Sequence, residues 1–376
     1  MSTYVPGLQG IVAVQTNKSK VDGQAGELVI AGFKLEEIAS RASFEEMVYL
    51  LWHDRLPNAS ELAAFTQSLA ALRALPDATL ALLKASASPQ LDLMDALRMA
   101  TGTLGLDAPA DDTDDWLAKR LLATFPTIVA AAWRLANGKE PIAPDASLGH
   151  AANYLYMLEG KAPSAARVRG LETYLNTVID HGSNASTFTA RVIMSTGTDF
   201  VSAIVGAIGA LKGPLHGGAP GPALDMVFEI GTAENAEPVL RKKLDAGELL
   251  MGFGHRVYKV RDPRADVLSK AAREFYEADG DMALYNLVQD VEKTAIRLLE
   301  EYKPGRNLQT NVEFYTALLL HGLDFPIPLF TPTFAVSRVG GWLAHCFEQR
   351  AEGRIIRPQS EYTGVDDRKW VPVEER

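Results

Sequence analysis

The sequence predicts a mainly α-helical protein: a large helical domain with a smaller helical domain inserted, and short β segments near the N-terminus. Three observations carry this. From residue 43 onward apolar residues recur at helical spacing, with no strand–helix alternation after the first forty residues. The stretches 118–137, 199–212 and 332–350 are apolar nearly all round or almost uncharged, the pattern of buried helices. The helices between about 221 and 302 carry far more charge, which marks a smaller, more solvated lobe. The division expected is 1–217 plus 325–376 for the large domain and 218–324 for the inserted one.

In chain order, residues 5–33 are rich in Gly, Val and Ile without helical period and predict short strands and turns. Ser43 and Glu46 have capping-box spacing and open the first clear helix, with Phe44, Met47, Val48 and Leu51 on one face and Leu56-Pro57 as its end. A second helix aligns Leu62, Phe65, Leu69 and Leu72. The buried helix 118–137 ends at Gly138. Helices near 147–159 and 164–180 end at Gly160 and at His181-Gly182. In 199–212, Ser202, Ala203, Gly206, Ala207, Gly209 and Ala210 are small, which predicts close helix approach, preferentially between identical subunits and otherwise inside the core. Asp262 and Pro263 start a helix as N-cap and first residue. Leu284, Leu287, Val288, Val291, Leu298 and Leu299 form one stripe of the next.

At 376 residues the chain can hold two domains, and its 47% hydrophobic content supports a sizeable core. One cysteine, Cys346, excludes an intramolecular disulfide framework and a thiolate metal cluster, and fits a reducing compartment. No secretory signal or membrane-spanning run is present in the sequence, so a cytoplasmic protein is expected. A net charge of −10 argues against a nucleic-acid partner. P-loop and Rossmann fingerprints are absent, and no histidine pair has metal-ligand spacing.

Against that acidic background, residues 249–264, L-L-M-G-F-G-H-R-V-Y-K-V-R-D-P-R, gather Arg256, Lys259, Arg261, Arg264 and His255 against Asp262 alone. Cations at a glycine-flexible turn that leads into a helix N-terminus point to a small anion. The alternative is a surface hairpin and a capped helix. Three further segments hold candidate chemistry. His181 lies in a polar cluster at a helix end, where a cationic histidine would also serve as a cap. His216 stands bare beside Gly217 and Gly218 before a helix, a position that keeps an imidazole neutral. Glu313 lies in N-V-E-F, where the spacing from Thr310 also allows a mere capping box. Arg338 sits mid-helix among Phe334, Val336, Val339 and Trp342, and a buried guanidinium needs an anion, structural or substrate. Arg357 is a further candidate in the tail.

Together, H-G-S-N-A-S-T-F-T-A-R, L-H-G-G-A, M-G-F-G-H-R-V-Y-K-V-R-D-P-R, N-V-E-F-Y and L-F-T-P-T-F-A-V-S-R resemble the citrate synthase family, in the family's order, from Gly7 to Gly364. The resemblance implies a homodimer of helical subunits with a large and a small domain. It implies a Claisen-type condensation of acetyl-CoA with oxaloacetate, then thioester hydrolysis to citrate and CoA, a tricarboxylic acid cycle step. It implies no tightly bound cofactor, with the acyl-CoA as a co-substrate. By the same resemblance, His216 would hydrogen-bond the thioester oxygen, Glu313 would take the α-proton, and His255 would donate to the oxaloacetate carbonyl. His181, Arg264 and Arg338 would hold the dicarboxylate, with Arg357 entering from the neighbouring subunit. Leu249, Leu250, Gly252, Phe253 and Gly254 would line the coenzyme A site, with Lys259 and Asn311 nearby. One departure stands out: the family usually has Asp where this chain has Glu313, and the extra methylene moves the carboxylate by about 1.5 Å. The alternatives are a 2-methylcitrate synthase using propionyl-CoA and a non-catalytic CoA- and dicarboxylate-binding paralogue.

Overall fold

A computed structural model describes residues 4–109, 114–216, 220–255 and 257–376. The N-terminal segment builds an antiparallel sheet of β1 (Ser19–Asp22), β2 (Glu27–Ile30) and β3 (Phe33–Lys34), in that order. Ser19 opposes Ile30 and Asp22 opposes Glu27. Alternation along β2 turns Leu28 and Ile30 into the core, where both are buried.

Helices account for almost all the remaining regular structure. A short α1 (Leu35–Ile38) leads to α2 (Phe44–His53), which starts on the expected capping box of Ser43 and Glu46. It stops earlier than Leu56-Pro57, because Asp54 turns left-handed at φ 57°. Next come α3 (Ala59–Ala70), α4 (Asp77–Ser86), α5 (Leu93–Thr101) and α6 (Asp114–Ala136). Residues Leu117 to Ala132 of α6 are buried almost without a break, as its composition requires. The chain continues through α7 (His150–Glu159), α8 (Ala165–Val178), α9 (Ala185–Met194) and α10 (Phe200–Lys212). Gly160 ends α7 in the left-handed region, as expected. The cluster after α8 also starts α9, whose N-cap Asn184 accepts from Thr187 N–H. Part of the small-residue surface of α10 serves the interior: a Cβ at Gly206 would stand 2.1 Å from Ile193 of α9.

A more charged set follows: α11 (Pro220–Ile230), α12 (Ala233–Asp245), α13 (Pro263–Asp279), α14 (Met282–Tyr302) and α15 (Val312–Gly322). On α14, Val288, Val291, Leu298 and Leu299 are buried, and Leu284 and Leu287 are partly so. The last helix, α16 (Phe330–Glu352), is buried along most of its length and packs against α2, α6, α8, α9 and α10. The helix α13 packs against both α15 and α8, and so joins the charged set to the larger one. At the other end of that contact, Lys259 N–H donates to Gly23 O in the turn after β1 (2.8 Å). Among the described residues no helix is long and apolar enough to cross a membrane. The expected domain boundary at 217/218 lies outside the described residues.

Candidate active site

The loop before α13 is shaped by its own polar contacts. Gly252 adopts φ 88°, where an L side chain is strained, and a Cβ there would stand 2.8 Å from Phe314. Phe253 pairs with Thr310 as an isolated bridge, Gly254 N–H donates to Gln309 O (2.7 Å), and Asn311 Nδ2 donates to Gly254 O (2.9 Å). The loop is thus tied to the start of α15. Asp262 caps α13 as expected, accepting from Arg264 N–H (3.0 Å).

Within this frame His255 has a defined tautomer. Its Nδ1 accepts from the N–H groups of Val257 (3.1 Å) and Tyr258 (3.2 Å). A neutral ring then carries its proton on Nε2. That nitrogen lies 3.4 Å from Arg264 Nη2, itself only a donor. Two donors side by side suit one shared acceptor, a carbonyl or carboxylate oxygen. Burial, then the charge of Arg264, lowers the His255 pKa to about 4, so the ring is neutral at pH 7. His181 stands 6.0 Å away, centroid to centroid, and its Nε2 lies 3.0 Å from the Tyr258 hydroxyl. Burial, then Arg264 and Arg338, holds its pKa well below the usual value, so it is no cationic helix cap.

Arg264 is 5% exposed and engages Asp262 twice, through Nε (3.0 Å) and Nη2 (2.8 Å). It is therefore not the uncommitted cation that the sequence suggests. Arg261 is likewise occupied, pairing with Asp266 and Glu292. Arg338 differs. It is 2% exposed, donates from Nε to Val178 O (2.7 Å), lies over the Phe334 ring, and forms no ion pair among the described residues. Burial lowers its pKa to about 10, leaving it charged at pH 7.

His216 ends the turn after α10, where its Nε2 meets Ser186 Oγ at 2.8 Å. Ser186 also donates to Asn184 Oδ1 (2.8 Å) and accepts from Trp342 Nε1–H (3.0 Å). The His216 pKa falls to about 4, chiefly through burial and then through Arg338, not through a helix terminus. Gly217 and Gly218, and Arg256 of the basic stretch, lie outside the described residues.

The capping alternative for Glu313 does not hold. The N-cap of α15 is Asn311, whose Oδ1 accepts from Glu313 N–H (3.0 Å), while Thr310 turns its hydroxyl to Glu292. Glu313 instead lines a small cavity with Leu249, Leu250, Gly252, Phe253 and Asn311. Burial raises its pKa against the pull of Arg264.

Leu249 is exposed and Leu250 buried at the same cavity. Lys259 is exposed on the same loop. Arg357 is exposed in the tail after α16. The sequence assigns Tyr258, Ser186 and Asp180 no individual role, although Tyr258 lies inside the basic stretch and the other two inside the polar cluster 180–187 that holds His181.

The description "Citrate synthase, C-terminal domain" fits residues 7–359 as a family model. Citrate synthase 2 of Bacillus subtilis is 43% identical over 379 residues, covering 100% of both chains. A 2-methylcitrate synthase of Mycobacterium tuberculosis is 39% identical over 366 residues, covering 96% of this chain and 91% of that one. A citrate synthase of Thermoplasma acidophilum, solved as a ternary complex with carboxymethyl coenzyme A and oxaloacetate, superposes with a TM-score of 0.89 at 28% identity, covering 100% of both chains.

Proposed function

The chain belongs to the citrate synthase family, and from that premise we propose that it condenses acetyl-CoA with oxaloacetate and hydrolyses the product thioester to citrate and CoA. The observation that carries this is Glu313: a half-buried acid, released from any capping role, that lines the cavity beside the 249–254 loop and feels the charge of Arg264. A thioester α-proton is a very weak acid, so the base works only if the developing oxyanion is stabilised, by roughly 3–4 kcal/mol per donor. His216 supplies a neutral donor. To donate from its other ring nitrogen, it accepts a hydrogen bond at Nε2 from the Ser186 hydroxyl, which then turns from Asn184 to the ring. His255 Nε2–H donates to the oxaloacetate carbonyl as the carbon–carbon bond forms. Arg338, with His181 and the remaining donors of Arg264, grips the carboxylates. Coenzyme A lies along Leu249, Leu250, Gly252, Phe253 and Gly254, with Lys259 and Asn311 at its edge. No tightly bound cofactor is needed.

In this reading 218–324 is a small lobe that closes over the large one and excludes water. The functional unit is a homodimer in the cytoplasm, serving the tricarboxylic acid cycle. Both chain ends support a dimer: Val12, Ile355, Tyr362 and Trp370 are exposed at 86%, 58%, 70% and 78%, an apolar cost that a partner would remove. Arg357, on one of those ends, then enters the partner's site. Dimers mixed from wild-type chains and chains carrying Arg357→Ala test this: oxaloacetate affinity should fall in the site whose own chain is intact.

A second reading, 2-methylcitrate synthesis from propionyl-CoA, is favoured by the full-length relative of that name. Release of free thiol from acetyl-CoA and propionyl-CoA with oxaloacetate decides both points. Higher kcat/KM with acetyl-CoA is the expected result, and a strong propionyl preference selects the second reading. Oxaloacetate binding without thiol release from either would leave only a non-catalytic paralogue.

A further inference from the structure

Along α16, Arg338, Gly341 and His345 stand at i, i+3 and i+7, and so share one face. The segment after α8 lies directly on that face. A Cβ at Gly341 would stand 2.2 Å from Ile179 O and 3.0 Å from Asp180 Oδ1, so only glycine lets the Asp180 carboxylate settle there. Asp180, fully buried, thus has a cation on either side, Arg338 a turn before it and His345 a turn after.

The carboxylate is bound to only one of them. His345 Nε2 reaches both oxygens, at 3.1 and 3.2 Å, and Ser19 Oγ donates to Oδ2 at 2.5 Å. Behind His345, its Nδ1 lies 3.2 Å from Arg191 Nη1 and 3.4 Å from Glu348 Oε2, the oxygen that Arg191 Nη1 also holds (2.7 Å). Burial alone would strip the proton from His345, but Asp180 and Glu348 bring its pKa up to about 9, so the ring is cationic at pH 7. Among the described residues Arg338 forms no ion pair, although the Asp180 charge reaches it. Left unrestrained, Asp180 would be an internal competitor for the guanidinium that the dicarboxylate requires.

We propose that His345 is a positioning residue that holds the Asp180 carboxylate off Arg338, and so keeps that guanidinium open to the substrate dicarboxylate. This rests on the dicarboxylate-binding reading given above. Substrate affinity is then set partly by an ion pair that touches no substrate.

The test is the Kd for oxaloacetate by titration calorimetry on the whole protein. His345→Gln keeps a hydrogen-bond donor but no charge. It is expected to weaken oxaloacetate about tenfold or more, the range of one hydrogen bond to a charged group. Where turnover is measured, kcat at saturating oxaloacetate should stay near wild type while the KM rises. Adding Asp180→Asn removes the competing charge and should return the Kd to within about threefold of wild type, the coupling expected of neighbours in one network. Unchanged affinity in His345→Gln overturns the proposal. So does a double variant as weak as the single one, since a packing defect at residue 345 has no reason to be cured by neutralising residue 180. Should His345→Gln not fold, Ser19→Ala decides: it frees the other side of Asp180, should weaken oxaloacetate, and should be rescued by the same Asp180→Asn. Absence of that weakening or rescue overturns the proposal. Wild-type protein that binds oxaloacetate but releases no thiol defeats the enzyme reading alone, whereas failure to bind oxaloacetate overturns both.

Discussion

Glu313 concentrates the chemistry at the scale of one residue. Its carboxylate is half-buried and makes no cap, and burial pushes its pKa above the ordinary glutamate value. As a base it must be ionised, so kcat/KM is present above that pKa and lost as pH falls through it. The acid limb of the pH–rate profile should therefore lie above about 4.3, the unperturbed glutamate value. His216 and His255, with pKa values of about 4, keep their working neutral forms until lower pH and do not set this limb. Glu313→Gln should remove turnover while leaving the melting temperature close to wild type; retained turnover would remove Glu313 from the mechanism. Glu313→Asp withdraws the carboxylate by about 1.5 Å. If this site is fitted to glutamate, kcat should fall by up to about 100-fold, the scale of a 1 Å misplacement. An equal or faster Asp variant would show that the site still suits the shorter acid.

At the scale of elements, Asn311 links the two pieces that must meet. Its Oδ1 caps α15, which carries Glu313, and its Nδ2 holds Gly254 O in the loop that carries His255. The two roles are separable. Asn311→Ala loses both and should cost about 1 kcal/mol of stability for the cap. Asn311→Asp keeps an acceptor for the cap but cannot donate to Gly254. It should melt near wild type yet show a raised acyl-CoA KM; parallel losses in both measurements would assign Asn311 to the cap alone. This element also shows where sequence stops being informative. Thr310 to Glu313 has capping-box spacing, but Glu292 of α14 draws the Thr310 hydroxyl away and the cap moves to Asn311. Local rules did place the starts of α2 and α13, because Ser43 Oγ and Asp262 Oδ1 still accept from the first-turn N–H groups, even though Asp262 Oδ2 also takes Val312 N–H from α15. They could not foresee that Asp262 also neutralises Arg264. Nor could they foresee that Gly206 makes room for α9, since small residues read the same facing a partner or a neighbour.

For the whole molecule, the sequence made the helical class and the converging segments legible, but not how their charges balance, and that balance fixes where the fold is most stable. Five histidines, His53, His150, His181, His216 and His255, have pKa values lowered on folding, chiefly by burial. The unfolded chain binds protons at these sites near pH 6.5 and the folded chain does not until about 4 at His216 and His255. The unfolded state therefore carries more protons in that window, and stability falls as pH drops through it. Glu172, raised to about 7 by burial, and Glu313 work the other way, two groups against five. His345 alone among the histidines is raised, to about 9, with Asp180, Glu348 and Arg191 around it. Between 6.5 and 9 the folded state binds the extra proton, so stability is fully present below that window and lost as pH rises through it. Calorimetric melting of ligand-free protein at one fixed concentration should thus peak near neutrality and fall on both sides. The fall between pH 6.5 and 9 should vanish in the His345→Gln/Asp180→Asn double variant while the acid fall remains. A fall between pH 6.5 and 9 that survives the double variant would mean that some group other than the His345–Asp180 pair governs it; above pH 9 the buried Cys346 and tyrosines, raised on folding, add their own fall.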